Sequence, residues 1–510
     1  MTEFDNFQTM SFLEARVCIY SDTARRVLLL IALTGLLRLA LAGVLGLSVD
    51  ESYTVAVSRQ LAFSYFDHPP LHVWLVAVWR RLVGDEQALL LRLPDIVMFA
   101  ASTWLMYRLT ASVYGHRAGL WAALTLNLAP VFTLNTAIGI LPDGPLVLFC
   151  LLAVWCFSRA VLAPETGPNG LRWMLGAGTA AGLALLSKYM AVFTVLSLGF
   201  YLLSCRRRSL ATAGPWLAAL LLVLLFMPVL LWNYTHDWAS FVFQGSRALP
   251  SEFSLPRAAL DFGGQLLYLL PWIAVGLLLA LARAVRRGPS DEAGWLFACL
   301  AVPPIVVFSL AGLWTKVLPH WPAIGWLFTV PLAGQLLAGL EQTRPRVPRR
   351  IATATAGLLI CVVLLAASQA TTGWIERLVP RLANDDPTVD FLDWHGLRST
   401  VAELGLRRRG MVVATVSWID AGKADYALGG TIAVICVSPD ARQFAFMHYP
   451  HSLRGRDALI VAAAGRPDWL RLARPYFRRV EPLRDIQLTR TGEPALTLHA
   501  AYGYDLRTRE

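Results

Sequence analysis

The chain has 510 residues, of which 56% are apolar and only 15% charged, and its mean hydropathy is +0.53. Soluble domains average about 25% charged residues, so this sequence lacks the charge to solvate a globular surface and must use lipid as part of its solvent. That excludes an ordinary soluble enzyme and a disordered chain, and seven scattered cysteines with no CxxC pair exclude a disulfide scaffold and a cysteine zinc motif.

A hydrocarbon core takes roughly 20 apolar residues per helix. Windows of that kind predict spans near 27–47, 93–112, 118–137, 144–162, 173–187, 189–204, 212–232, 263–283, 293–313, 321–340 and 351–371. The reading is a polytopic α-helical membrane protein of about 11 spans, within a range of 11–13. Residues 1–26 are mixed in charge and lack a small-residue cleavage pattern, so they read as a retained cytoplasmic segment. Residues 27–373 form the membrane body. From Trp374 onward there are 19 Lys+Arg and 16 Asp+Glu, the charge density of a soluble domain, so 374–510 reads as a separate domain.

Basic residues test this order, because cytoplasmic ends are enriched in them. Arg25-Arg26, Arg108 with Arg117, Arg206-Arg207-Arg208, Arg286-Arg287 and Arg349-Arg350 all fall on one face, provided 173–204 is crossed twice at Ser187-Lys188-Tyr189. The amino terminus is then inside and the tail outside. The net charge of +11 reflects this topology. The arginines form short turn clusters rather than a stripe, so no nucleic-acid partner is expected.

The opposite face carries different chemistry. Val49-Asp50-Glu51-Ser52-Tyr53 and Phe66-Asp67-His68-Pro69-Pro70-Leu71 follow span one. Pro142-Asp143-Gly144 precedes span four, and Lys188-Tyr189 follows span five. His236-Asp237 follows span seven, and Lys316 and His320 follow span nine. The chain has 42 arginines but three lysines, Lys188, Lys316 and Lys423, and two of these sit at outer span ends. A lysine is a compact point charge suited to an anion such as phosphate. Singly these residues have ordinary explanations. Asp50-Glu51 and Asp143 suit helix starts, Lys188 suits snorkelling, and His320 beside Trp321 suits an interfacial belt. Their joint placement on one face favours chemistry, since ionisable groups at a membrane are costly and usually functional.

Acids and cations at an outer face suit group transfer from a phosphate-bearing lipid. A carboxylate would take the proton of an attacking hydroxyl, and cations would offset charge growing on the phosphate leaving group. No P-loop pattern occurs, so a donor activated in advance is expected.

The tail contains β-like runs at 411–416, 431–437 and 457–462, separated by helical stretches, with 374–410 largely helical. A small α/β domain with a mainly parallel sheet is expected, and no catalytic constellation is evident in it.

Asp50-Glu51, His68-Pro69-Pro70-Leu71, Leu141-Pro142-Asp143 and Ser187-Lys188-Tyr189 resemble the protein mannosyltransferase/aminoarabinose transferase group, integral-membrane glycosyltransferases of the GT-C class, family 39. Trp232-Asn233 through Gln244-Gly245 and Leu318-Pro319-His320-Trp321 resemble a bacterial branch of it. The resemblance covers about residues 25–370. It implies the GT-C fold with a periplasmic α/β domain at the carboxyl end, in a bacterial inner membrane. It also implies an inverting transferase taking a sugar from a polyprenyl-phosphate donor to lipid A, lipopolysaccharide core, another glycan or a protein. Asp50 matches the aspartate that serves the acceptor, Glu51 is its neighbour, and Asp143 matches the second acidic position. Tyr53, His68, Lys188, Lys316 and His320 are the candidate substrate and phosphate contacts. The aminoarabinose branch carries Glu-Lys where this chain has Asp67-His68. Asp67 with His236 or His320 would instead offer oxygen and imidazole ligands to a divalent metal such as zinc, manganese or magnesium. The alternative reading is a transporter or flippase of a lipid-linked sugar. Transporters place ionisable groups near the bilayer midplane in repeated halves, whereas here the acids sit in outer loops. A receptor-like or assembly protein would need neither Asp50 nor Lys188.

Overall fold

A computed structural model describes residues 4–134, 136, 138–162, 168–247, 252–379, 386–405, 410–447 and 450–507. Its helices are α1 (Phe4–Val44), α2 (Val49–Val57), α3 (Leu71–Val83), α4 (Ala88–Tyr114), α5 (His116–Leu128), α6 (Pro130–Thr133), α7 (Asp143–Val161), α8 (Pro168–Ser187), α9 (Ala191–Cys205) and α10 (Ala213–Thr235). These are followed by α11 (Ala239–Ser246), α12 (Leu255–Leu269), α13 (Pro271–Arg287), α14 (Glu292–Ala311), α15 (Ala323–Thr343), α16 (Arg346–Thr372), α17 (Trp374–Leu378), α18 (Leu397–Glu403) and α19 (Trp418–Leu428).

Among the described residues, seven helices are long and apolar enough to cross a membrane, or eight if a bent pair counts as one span. The chain is a multi-pass membrane protein. Four of the expected spans are not among these seven. The run at 118–137 stops as a helix at Leu128, where Ala129 turns extended ahead of Pro130 and the short α6 opens instead. The run at 263–283 is broken between α12 and α13, which meet at 100° around Leu270 and Pro271. Helix α9 is a shorter apolar helix of 15 residues. Helix α8 has 20 residues but is not among the seven.

The chain divides into two compact units, and the division differs from a simple cut at residue 373. The first comprises residues 1–38, 95–138 and 142–359, and the second 39–94, 139–141 and 360–510. The first unit is a helical body. Phe99, Leu126, Phe132, Leu151, Phe157, Phe297, Trp326 and Phe328 lie in its main buried cluster. Helix backbones approach closely where side chains are smallest: a Cβ on Gly178 of α8 would lie 2.4 Å from the Ala218 carbonyl oxygen of α10, and one on Gly334 of α15 would lie 2.5 Å from that of Ala118 in α5. Lipid gives helices no hydrophobic reason to pair, so such small-residue contacts carry the association.

The second unit contains α2, α3, α17 to α19 and a six-stranded sheet. The strands are β1 (Val412–Thr415), β2 (Val434–Cys436), β3 (Ala458–Ala463), β4 (Phe477–Pro482), β5 (Ile486–Arg490) and β6 (Glu493–Leu506). Their order is β2-β1-β3-β6-β4, with β5 also paired to β6. The three expected runs form the parallel part, β2-β1-β3. The expectation of a mainly parallel sheet is corrected by β6, which runs antiparallel to β3, β4 and β5.

Helix α2, which carries Asp50 and Glu51, packs against α19 of the carboxyl-terminal region, and its residues Glu51 to Val57 are buried. The approach requires a glycine: a Cβ on Gly422 would lie 2.8 Å from the Tyr53 backbone. The segment from 39 to 94 is therefore built into the same unit as the tail.

Candidate active site

In the second unit, Ser48 caps α2 and forms a capping box with Glu51. Glu51 is almost fully buried, with each carboxylate oxygen accepting two bonds. Arg92 donates from Nε to Oε1 at 2.7 Å and from Nη2 to Oε2 at 2.6 Å. The Ser48 amide donates to Oε2 at 2.8 Å, and the Ile140 amide to Oε1 at 3.2 Å. Burial opposes ionisation, but Arg92 and the two amides outweigh it and hold the Glu51 carboxyl below the usual carboxylate range. The sequence named Glu51 a catalytic candidate beside Asp50; in the structure its carboxylate is met by four donors. Arg92 also bonds the carbonyl oxygens of Leu45 and Gly46 at 2.7 Å each, so one guanidinium ties the chain entering α2.

Asp50, the preceding residue, is exposed in the first turn of α2. Asp67 is buried nearby. The Tyr53 hydroxyl donates to its Oδ2, and Arg442 Nη1 lies 3.3 Å from Oδ1. Burial pushes the Asp67 carboxyl up to about 6 against the pull of Arg442 and Tyr53, while Asp440 and Asp50 push it the same way as burial. The Arg442 guanidinium lies over the Trp418 ring at 3.7 Å. Gln443 closes the arrangement: its amide donates to the Tyr53 hydroxyl oxygen at 3.1 Å, and its Oε1 accepts from the Phe66 amide at 2.7 Å. His68 is half-buried, with its ring 5.8 Å from that of His72. Lys423 is buried and donates to the Leu47 and Leu392 carbonyl oxygens at 2.5 and 3.1 Å.

In the first unit, Asp143 opens α7 and Lys188 follows α8. Lys188 Nζ donates to Asp143 Oδ1 at 2.9 Å and to Oδ2 at 2.8 Å. The pair lines a pocket with Phe132, Thr136, His320 and Trp321. Burial, then the Lys188 charge, lowers the His320 imidazole to about 4, with Arg247 adding to the effect and Asp143 opposing it. His320 is therefore neutral at neutral pH. Arg247 lies over the Trp321 ring at 4.9 Å, adding a second cation to this region.

The structure thus brings Asp50 together with Asp67 and Tyr53, and Asp143 together with Lys188 and His320. It leaves two candidates apart from these groups. Lys316 is exposed, with no hydrogen-bond or ion-pair partner among the described residues. His236 stacks on Trp232 at 4.2 Å and donates from Nδ1 to the Trp232 carbonyl oxygen at 2.8 Å. Among the described residues, no three His, Cys, Asp or Glu gather closely enough to hold a metal ion. Asp67, moreover, faces a guanidinium and a phenol.

Sequence reasoning missed Arg92, Arg247, Arg442 and Gln443. Arg92 had a signal, a lone arginine in the run Ala88-Leu89-Leu90-Leu91-Arg92-Leu93, where a charge needs a buried partner. Arg442 and Gln443 had none, because the partners that draw them here, Asp67, Phe66 and Tyr53, lie more than 370 residues away.

A family profile described as dolichyl-phosphate-mannose-protein mannosyltransferase matches residues 67–232. The chain is 24% identical over 292 residues to the lipid A galacturonosyltransferase RgtD of Rhizobium johnstonii, covering 57% of this chain and 59% of that protein. It is 24% identical over 353 residues to the undecaprenyl phosphate-alpha-4-amino-4-deoxy-L-arabinose arabinosyl transferase 1 of Proteus mirabilis, covering 62% and 60%. The chain spans less than two thirds of the length of these relatives. The crystal structure of ArnT from Cupriavidus metallidurans bound to undecaprenyl phosphate superimposes with a TM-score of 0.62 at 17% identity, over 93% of this chain and 97% of that one, a likeness of fold. The resemblance read from the motifs is thus matched by a family segment over residues 67–232 and by a likeness of fold to ArnT along most of the chain.

Proposed function

We propose that the chain is an inverting glycosyltransferase that moves a sugar from a polyprenyl-phosphate donor to a hydroxyl or phosphate on lipid A, lipopolysaccharide core, another glycan or a protein. The observation that carries this reading is the Asp143–Lys188 pair beside neutral His320 in a pocket of the helical body. Such a cation is suited to a phosphate whose charge grows as it leaves. In this scheme the acceptor oxygen attacks the anomeric carbon, and its proton passes to Asp50, the exposed carboxylate of α2. The bond from the anomeric carbon to the phosphate oxygen breaks, and the electron pair departs on polyprenyl phosphate. Asp67 and Tyr53 order the loop beside Asp50. The names of the similar proteins, a lipid A transferase and an undecaprenyl-phosphate-sugar transferase, support the donor and acceptor classes.

The arginine clusters support a bacterial inner-membrane orientation with the amino terminus cytoplasmic and the carboxyl-terminal domain periplasmic. The test is purified protein in lipid with a panel of undecaprenyl-phosphate sugars and lipid A, read by product mass and by anomeric configuration. A product of inverted configuration is expected. Translocation of the same donors between leaflets without any product would reject the transferase in favour of a flippase. Repeating the assay after chelation reads whether zinc, manganese or magnesium is needed.

A further inference from the structure

A groove of about 380 Å³, open to its surroundings, lies in the first unit where the last turns of α13 and α15 meet the start of α14. None of its lining residues belongs to the site described above. Its walls differ in character. Arg283 and Arg287 come from successive turns at the end of α13, and Leu336 and Leu340 line the side formed by α15, with Gln335 and Thr343 beside them. Gly339 also lines it, and a Cβ there would meet nothing within 4 Å, so the cleft runs up to the backbone of α15.

The charges are available. Arg283 is exposed and has no ion-pair or hydrogen-bond partner among the described residues. Arg287 reaches Asp291 at 3.4 Å with 59% of its side chain still exposed, a contact weak enough to exchange. The helix ends that form the groove coincide with one of the sequence's arginine clusters, so the groove falls at the end of the spans. Guanidiniums beside leucines match a phosphate headgroup joined to an acyl chain. The volume is within the usual range for small-ligand sites, about 300–1,000 Å³.

We propose that this groove binds an anionic phospholipid, its headgroup phosphate held by Arg283 and Arg287 and one acyl chain lying along Leu336, Gly339 and Leu340. The lipid is a bound component on the arginine-rich face, independent of the donor and acceptor proposed above.

The test is native mass spectrometry of the full chain in detergent, titrated separately with phosphatidylglycerol and phosphatidylcholine of matched chains. The wild type is expected to retain one phosphatidylglycerol at least about tenfold more tightly than phosphatidylcholine. Arg283→Gln with Arg287→Gln should weaken it about 25-fold, at about fivefold per arginine near a membrane surface. Gly339→Leu should weaken both lipids by filling the slot without changing charge. Arg208→Gln with Arg350→Gln, which removes equal charge outside the groove, should leave retention within about twofold. Equal retention of the two lipids by the wild type would overturn the proposal, as would an equal loss in the Arg208/Arg350 control. Complete displacement of the lipid by millimolar inorganic phosphate would overturn it too, by showing a plain anion site. Should the double variant at 283 and 287 fail to fold, wild-type selectivity and Gly339→Leu still decide.

Discussion

The two groups of ionisable residues are built on opposite plans. Around α2, in the second unit, charge is buried and over-determined. Glu51 accepts four bonds, Arg92 bonds both that carboxylate and the carbonyls ahead of it, and Lys423 bonds two more carbonyls. In the first unit, Asp143 and Lys188 make a single bidentate pair on a pocket wall, with side chains 14% and 11% exposed. A fully enclosed ion pair fixes the backbone around it. The Asp143–Lys188 pair, less enclosed than Arg92–Glu51, is the one we propose meets the donor phosphate. In the proposed scheme one group holds a helix in place, and the other meets the donor phosphate.

The largest expected effect breaks the buried side. Arg92→Met leaves Glu51 as an uncompensated buried charge and should lower stability by about 3–5 kcal/mol, read as denaturant or thermal unfolding in detergent. A loss below about 1 kcal/mol would show that the pair is not what holds α2. The next tests the open side. Lys188→Met should reduce sugar transfer by about 10²–10³-fold, with a smaller change in unfolding than Arg92→Met. A large loss of stability with little loss of rate per folded molecule would place Lys188 with the anchors instead.

A smaller effect sharpens the comparison through pH. Asp67 carries a pKa raised from 3.8 to about 6 by burial, so the folded protein binds more protons than the unfolded chain between these values. Its contribution to stability is complete below pH 3.8 and is lost as pH rises through about 6. The stability of Asp67→Asn relative to wild type should accordingly improve by about 2–3 kcal/mol between pH 4 and pH 7. A difference flat with pH would show that Arg442 and Tyr53 fully compensate the buried charge.

Much of this was legible in the sequence, and the remainder has physical reasons. The membrane body follows from apolar windows, and Asp50, Asp143, Lys188 and His320 stand out as ionisable residues at span ends. Breaks inside apolar runs were harder to see, because Pro130 and Pro271 interrupt helices without changing hydropathy. The parallel strands of the tail are solid apolar runs. Strand β5 alternates buried and exposed residues from Ile486 to Arg490, and β4 reads Phe-Arg-Arg-Val-Glu-Pro, so neither resembles a buried strand. Asp50 and Glu51 are adjacent and look equivalent. What separates them is Arg92, 41 residues further along from Glu51, and no local pattern announces that pairing.

Those two neighbours give the most direct test of the central claim, that Asp50 serves chemistry while Glu51 serves structure. Asp50→Asn and Glu51→Gln would be purified side by side, with unfolding midpoint and transfer rate per folded molecule measured for each. Asp50→Asn is predicted to unfold within about 0.5 kcal/mol of wild type and to lose at least about 10²-fold in rate. Glu51→Gln is predicted to unfold early, with its folded fraction still transferring sugar. An Asp50→Asn protein that transfers at the wild-type rate, beside a stable but inactive Glu51→Gln, would contradict the account.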